Sequence, residues 1–194
     1  MECQLNKDLP AIISCSYMSN YNCYEIMLKL GYFFDKDLSN DQNRVYIYLP
    51  LNELLVVFRG TYNFLDYYTD IVCGIGLKCL STRYYRSKNI INKVKTKYNK
   101  QNINAIGYSL GGFLCENCGA TGVRLTYNKL LPIPDIGKII DDNQYDIREK
   151  CDIVSILSYT QKGRHKECIP IKDINPIHAH KTDDLVEFRE QIIL

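Results

Sequence analysis

The chain contains no tryptophan, three histidines and six prolines in 194 residues. Histidine this scarce narrows any search for an imidazole base or metal ligand to His165, His178 and His180, all late in the chain. Charge of one sign is also missing. Lysine and arginine number 24 against 22 aspartates and glutamates, a net +2, and the charges are dispersed. With no basic stripe, nucleic acid is not an expected partner. No apolar run approaches the roughly 18 residues of a membrane span. The segment Met1-Glu2-Cys3-Gln4-Leu5-Asn6-Lys7-Asp8 has neither the basic nor the apolar region of a secretory leader. A soluble, cytoplasmic protein is therefore expected. Repeats, low-complexity tracts and Pro/Gly/Ser linkers are absent too, so residues 1–194 read as one domain. Nothing sets an oligomeric state.

Cysteine is plentiful, at nine residues. The number is odd and no leader precedes it, so free thiols are the simpler expectation than a disulfide framework. Cys115-Glu116-Asn117-Cys118 is formally a C-x-x-C, but it falls one turn into a predicted helix rather than at its start, which favours packing over redox chemistry. Cys151, Cys168 and His165 do not complete a zinc set with it, and neither a metal nor a cofactor is expected. The abundance of Asn, Ile, Lys and Tyr points to an AT-rich genome, such as a virus's, and says nothing of chemistry.

Hydrophobic residues make up 46% of the chain, enough for a core. Their spacing predicts a helix from about Asn20 to a C-cap at Gly31. Arg44 to Leu49 alternates and Leu54 to Phe58 is continuously apolar, a hairpin whose second strand is buried on both faces. Arg83 to Tyr98 has helical spacing and a basic outer face. Asn102 to Gly107 is a short buried strand running into a helix of about ten residues. Val123 to Leu131 and Ile153 to Leu157 are further strand candidates, and Asp183 to Ile192 an amphipathic helix. Strands alternating with helices predict an α/β fold: a mostly parallel sheet with an antiparallel N-terminal hairpin and helices on both faces.

The chemistry-bearing motif is Gly107-Tyr108-Ser109-Leu110-Gly111. Gly-x-Ser-x-Gly is common by chance, and its context gives it weight. Ile103-Asn104-Ala105-Ile106 supplies a strand before the serine, Leu110 onward a helix after it, and Gly107, Gly111 and Gly112 the clearance a strained strand-to-helix turn needs. That is a nucleophile elbow, with helix N–H groups facing any negative charge that develops beside Ser109.

Fifty residues upstream stand Leu55-Val56-Val57-Phe58-Arg59-Gly60-Thr61 and then Asp66-Tyr67-Tyr68-Thr69-Asp70. With the later Gly-Tyr-Ser-Leu-Gly-Gly, the chain resembles the class 3 (fungal-type) lipase family, in which an apolar strand ends in Phe-Arg-Gly-Thr or Phe-Arg-Gly-Ser, an Asp-aromatic-x-x-Asp segment follows, and Gly-His-Ser-Leu-Gly-Gly comes later. Tyr108 stands where the family usually has His, and the resemblance spans roughly Val45 to Leu185. It implies an α/β-hydrolase fold and a carboxylic-ester hydrolase of lipase or esterase type, acting on a lipid or small ester with transient contact to a lipid surface. A catalytically degenerate relative serving as a binding module is the alternative. By this resemblance Ser109 is the nucleophile, and Thr61 and the backbone N–H of Leu110 form the oxyanion hole. Asp152, in Cys151-Asp152-Ile153-Val154-Ser155-Ile156-Leu157, orients the base, with Asp141, Asp142 and Asp146 as fallbacks. Ser155 and Ser158 replace prolines common in the family. The base is His180, with His178 as the alternative, and His165 is read as part of a solvated loop. Arg59 and Asp70 are expected to form a structural ion pair. Residues 62–80 match the family's lid in position, as an apolar lid or as core.

Overall fold

The structure, a computed structural model, describes residues 2–168 except 63, 150, 151 and 153. Two helices come first, α1 (Glu2–Tyr17) and α2 (Asn20–Lys29), followed by a three-strand antiparallel ribbon of β1 (Tyr32–Phe34), β2 (Asn43–Tyr48) and β3 (Glu53–Phe58). The chain continues through α3 (Phe64–Gly74), α4 (Thr82–Tyr98), β4 (Ile103–Tyr108), α5 (Leu110–Asn117), β5 (Arg124–Tyr127), β6 (Gln144–Glu149) and β7 (Arg164–Cys168). The seven strands lie side by side in sequence order, and β3 to β7 are parallel.

That order dictates the layers. Crossovers between parallel strands are almost always right-handed, so a sheet that grows in one direction places its crossover helices on one face. Here Tyr84, Ile90, Ile91 and Val94 of α4 and Phe113, Leu114 and Cys115 of α5 pack with Val56, Phe58, Ile103 and Ala105 of the sheet. The opposite face must be covered from elsewhere, and α1 and α2 cover it. Leu5, Leu9, Ile12 and Ile13 recur at helical spacing along α1 and bury against Leu55, Val57, Ile106 and Leu125. Both strand faces being covered explains why β3 and β4 are apolar at nearly every position. Helices on both faces of a mixed, mostly parallel sheet are the predicted α/β-hydrolase-like class.

Several elements depart from the sequence reading. α1 and β1 were not predicted, and Pro10 inside α1 hides its periodicity. Residues 153–157 are not a strand: a turn and a short 3₁₀ helix (Ile156–Thr160) stand there. The last two parallel strands are instead the polar segments β6 and β7. β6 escapes a hydrophobicity reading because its buried residues are paired rather than apolar. Gln144 and Thr126 both donate to Asp146 (2.9 and 2.6 Å), and Arg148 donates to Ser158 Oγ (3.1 Å). The predicted helix at 183–192 lies outside the described residues. No helix among the described residues is long and apolar enough to cross a membrane.

Candidate active site at the C-terminal edge of the sheet

Ser109 follows β4 directly and caps α5, with φ 55° and ψ −121°. A residue with a Cβ enters this positive-φ region only when its surroundings force it. The forcing groups are backbone. The Ser109 N–H donates to Tyr127 O (2.9 Å), and its carbonyl accepts from Gly112 N (2.9 Å) and Leu130 N (3.2 Å), so the end of β5 and the start of α5 grip the turn from two sides. The flanking glycines are steric requirements. A Cβ on Gly107 would lie 2.0 Å from Gly111 O, and one on Gly111 would lie 2.0 Å from Phe58 O. Ser109 itself is 5% exposed. The Leu110 N–H, the first of α5, has no intrahelical acceptor by helix geometry.

The β3 end lies beside this elbow. Arg59-Gly60-Thr61 leaves the sheet there, and a Cβ on Gly60 would come within 2.9 Å of Tyr108 O. The Asp-aromatic-x-x-Asp segment forms the first turns of α3 and ties this loop down. Asp66 Oδ2 accepts the Tyr62 N–H (2.9 Å), and Asp70 Oδ2 accepts the Thr61 hydroxyl (2.6 Å). The expected Arg59–Asp70 pair is therefore corrected: Arg59 stands 4.0 Å from Asp66, while Asp70 takes Thr61. The principal ionic partner of Asp66 is Arg83 of α4, which also donates to the carbonyl oxygens of Arg59 and Gly60. Arg83 is 3% exposed, so the basic face predicted for α4 does not include its first arginine. Sequence reasoning missed it because one arginine on an otherwise exposed basic stripe carries no local signal.

Asp152 also stands at this edge, in the turn after β6, buried, with its amide donating to Glu149 O (3.2 Å). Its carboxylate accepts the N–H groups of Val154 (3.1 Å) and Ser155 (3.0 Å), so the turn around it holds the side chain in place. The fallback aspartates stand elsewhere. Asp141 and Asp142 precede β6 at the opposite edge, where Asp141 pairs with Arg124 at 3.0 Å. Asp146 lies inside β6 and is bound by Lys129 Nζ (2.6 Å), which also holds Glu116 and Gln161, both at 2.7 Å.

Of the histidines only His165 is described. It is not in a solvated loop: it lies on β7, its side chain 17% exposed, with Nε2 2.8 Å from Gln161 O and Nδ1 3.8 Å from Asp146. Register aligns it with Asp146, Thr126 and Gly107, three strand spacings from β4, or about 14 Å at about 4.8 Å each. That is too far for an imidazole to touch Ser109. His178 and His180 lie outside the described residues.

Helix α3 and the segment after it both enter the core and show apolar side chains to solvent. Val72 and Cys73 enter the core, while Tyr68, Ile71, Ile75, Leu77 and Leu80 point outward, with Ile71 65% exposed. Gly76, at φ +87°, turns the chain against Pro134, where a Cβ would meet the ring at 2.5 Å. The two C-x-x-C thiols are core residues: burial pushes Cys118 up to about 12 and Cys115 higher still, which removes the thiolate that redox chemistry needs. Tyr108, in the position the family usually fills with His, stacks on Tyr127 at 5.9 Å.

No protein-family model and no curated protein sequence matches the chain. Among solved structures it is similar to a fungal lipase–inhibitor complex, the basis of a model for interfacial activation in lipases. That similarity has 13% identity and a TM-score of 0.50, over 79% of this chain and 72% of the other. At that identity the likeness is one of fold: the chain has a lipase-like α/β-hydrolase architecture.

Proposed function

We propose that this lipase-like fold carries a serine hydrolase of carboxylic esters, acting on lipids. The observation that carries the reading is Ser109 itself, held at φ 55° at the tip of a buried strand, between glycines whose Cβ atoms would strike backbone at 2.0 Å. Strain of about 1–3 kcal/mol persists only where its surroundings over-determine it, and such residues cluster at reactive sites.

In this mechanism Ser109 Oγ attacks the ester carbonyl, and His180, with His178 as the alternative, takes its proton. Asp152, fixed by two backbone N–H groups, orients the imidazole. The oxyanion is held by the backbone N–H groups of Thr61 and Leu110. The Thr61 hydroxyl is committed to Asp70 and holds the loop, which leaves the amide as the donor. Each such donor is worth about 2.7–4 kcal/mol in the transition state. The imidazolium then protonates the leaving alkoxide, and water attacks the acyl-enzyme with the same base. The lipid preference rests on the exposed apolar side chains Tyr68, Ile71, Ile75, Leu77 and Leu80, on α3 and the segment after it, which suit contact with a lipid surface better than water.

A fluorophosphonate, which reacts only with an activated serine, tests this directly. Labelling of the intact chain that is lost in Ser109→Ala and in His180→Ala supports it. Folded protein that never labels makes the chain a binding module on a hydrolase fold.

A further inference from the structure

The hydrolase reading makes no use of a second concavity at the same edge of the sheet. This is a cavity of about 630 Å³ between the α1–α2 junction, the β2 end and the turn after β3. Its walls carry three arginines, Arg44, Arg59 and Arg86, against one aspartate, Asp41. An arginine cluster in a concave site with low-dielectric walls focuses positive potential.

Arg59 makes this a built site rather than a basic patch. Its side chain is 9% exposed, and its Nε has no hydrogen-bond partner among the described residues. The nearest carboxylate, Asp66 at 4.0 Å, is already taken by Arg83 and the Tyr62 amide. The rings of Tyr62 (4.5 Å) and Tyr17 (6.0 Å) lie against the guanidinium, and Arg59 lines the cavity. A buried guanidinium whose nearest carboxylate stands 4.0 Å away and is shared with Arg83 is only partly compensated, and an oxyanion is the partner a guanidinium fork matches best. The other walls agree. Arg44 is pinned by donation to Met18 O at 2.6 Å, and Ser19, the N-cap of α2, brings the positive end of that helix to the cavity.

The cavity adjoins the reaction centre. Arg59 precedes Thr61 by two residues, at most about 7 Å of chain. Tyr17 touches Arg59 on one side and, at 6.3 Å, Tyr108 on the other, so a single ring separates the cavity from the residue before the nucleophile.

We propose that this cavity binds the phosphate monoester head group of the ester that Ser109 cleaves. The substrate class is thereby an acylated glycerol phosphate or a similar anionic lipid ester. The assignment rests on the hydrolase reading and narrows it. A neutral head group leaves Arg59 only partly compensated, and a choline head group adds a cation to a cavity that is already positive.

Two measurements on the full chain test it. Inorganic phosphate and glycerol 3-phosphate are titrated by calorimetry, and kcat/KM is compared for 1-acylglycerol 3-phosphate and for 1-acylglycerol of the same chain length at low salt. Binding of both phosphates and at least a tenfold preference for the anionic ester are expected. Arg59→Gln should abolish phosphate binding. Arg86→Ala, at an exposed position that leaves the core intact, should cut the preference about tenfold, the worth of one charge-assisted contact. Equal rates on the two esters overturn the proposal, as does an unchanged preference in Arg86→Ala. Fluorophosphonate labelling without phosphate binding overturns it while the hydrolase reading stands. Phosphate binding without labelling or ester cleavage overturns the head-group assignment together with the hydrolase, and leaves a site for free phosphate.

Discussion

Replacing Arg83 by methionine isolates the device that holds the loop beside the elbow. The guanidinium pairs with Asp66, whose side chain is 1% exposed, and caps the carbonyls of Arg59 and Gly60. Methionine keeps most of the volume and removes every donor, leaving a buried carboxylate that has lost its main partner. Breaking a buried pair this way costs about 3–5 kcal/mol. Arg59 at 4.0 Å still compensates part of the charge, so the low end, about 3 kcal/mol, is expected. For a chain of this size that corresponds to a drop in Tm of about 6–12 °C. The companion change Asp66→Asn removes the stranded charge and keeps an acceptor for Tyr62. Arg83→Met/Asp66→Asn should therefore be more stable than Arg83→Met alone, by about 1 kcal/mol or more. Both costs are read by urea unfolding at one pH. A single-mutant cost below about 1 kcal/mol, or a double mutant less stable than the single, refutes the clamp.

Three further outcomes follow from the same geometry. Gly107→Ala and Gly111→Ala each drive a Cβ to 2.0 Å from backbone oxygen, so each should cost about 3 kcal/mol or more and abolish fluorophosphonate labelling; wild-type labelling in either shows that the turn is looser than described. Ser109→Gly should raise stability by about 1 kcal/mol while eliminating labelling, because glycine adopts φ 55° without strain; a destabilised Ser109→Gly refutes the strain. Among the described thiols, exposed Cys79 should alkylate rapidly in native protein, whereas Cys115 and Cys118 should react only on unfolding; mass mapping after brief iodoacetamide treatment distinguishes them.

What the sequence determined by itself is whatever local pattern encodes. Continuous apolar runs gave β3 and β4, since strands covered on both faces have no polar side to show. Glycine at both flanks of Ser109 gave the elbow, because only glycine tolerates that approach. Tertiary structure decided the rest, and in each case the cause is pairing between residues far apart in sequence. β6 is polar in sequence and buried in space because Lys129, Thr126 and Ser158 satisfy it. Arg83 reads as an exposed helix residue until Asp66 and two carbonyl oxygens close around it. The three cavity arginines come from β2, the β3 end and α4, and only the folded sheet brings them to one concavity, since no periodicity relates positions 44, 59 and 86.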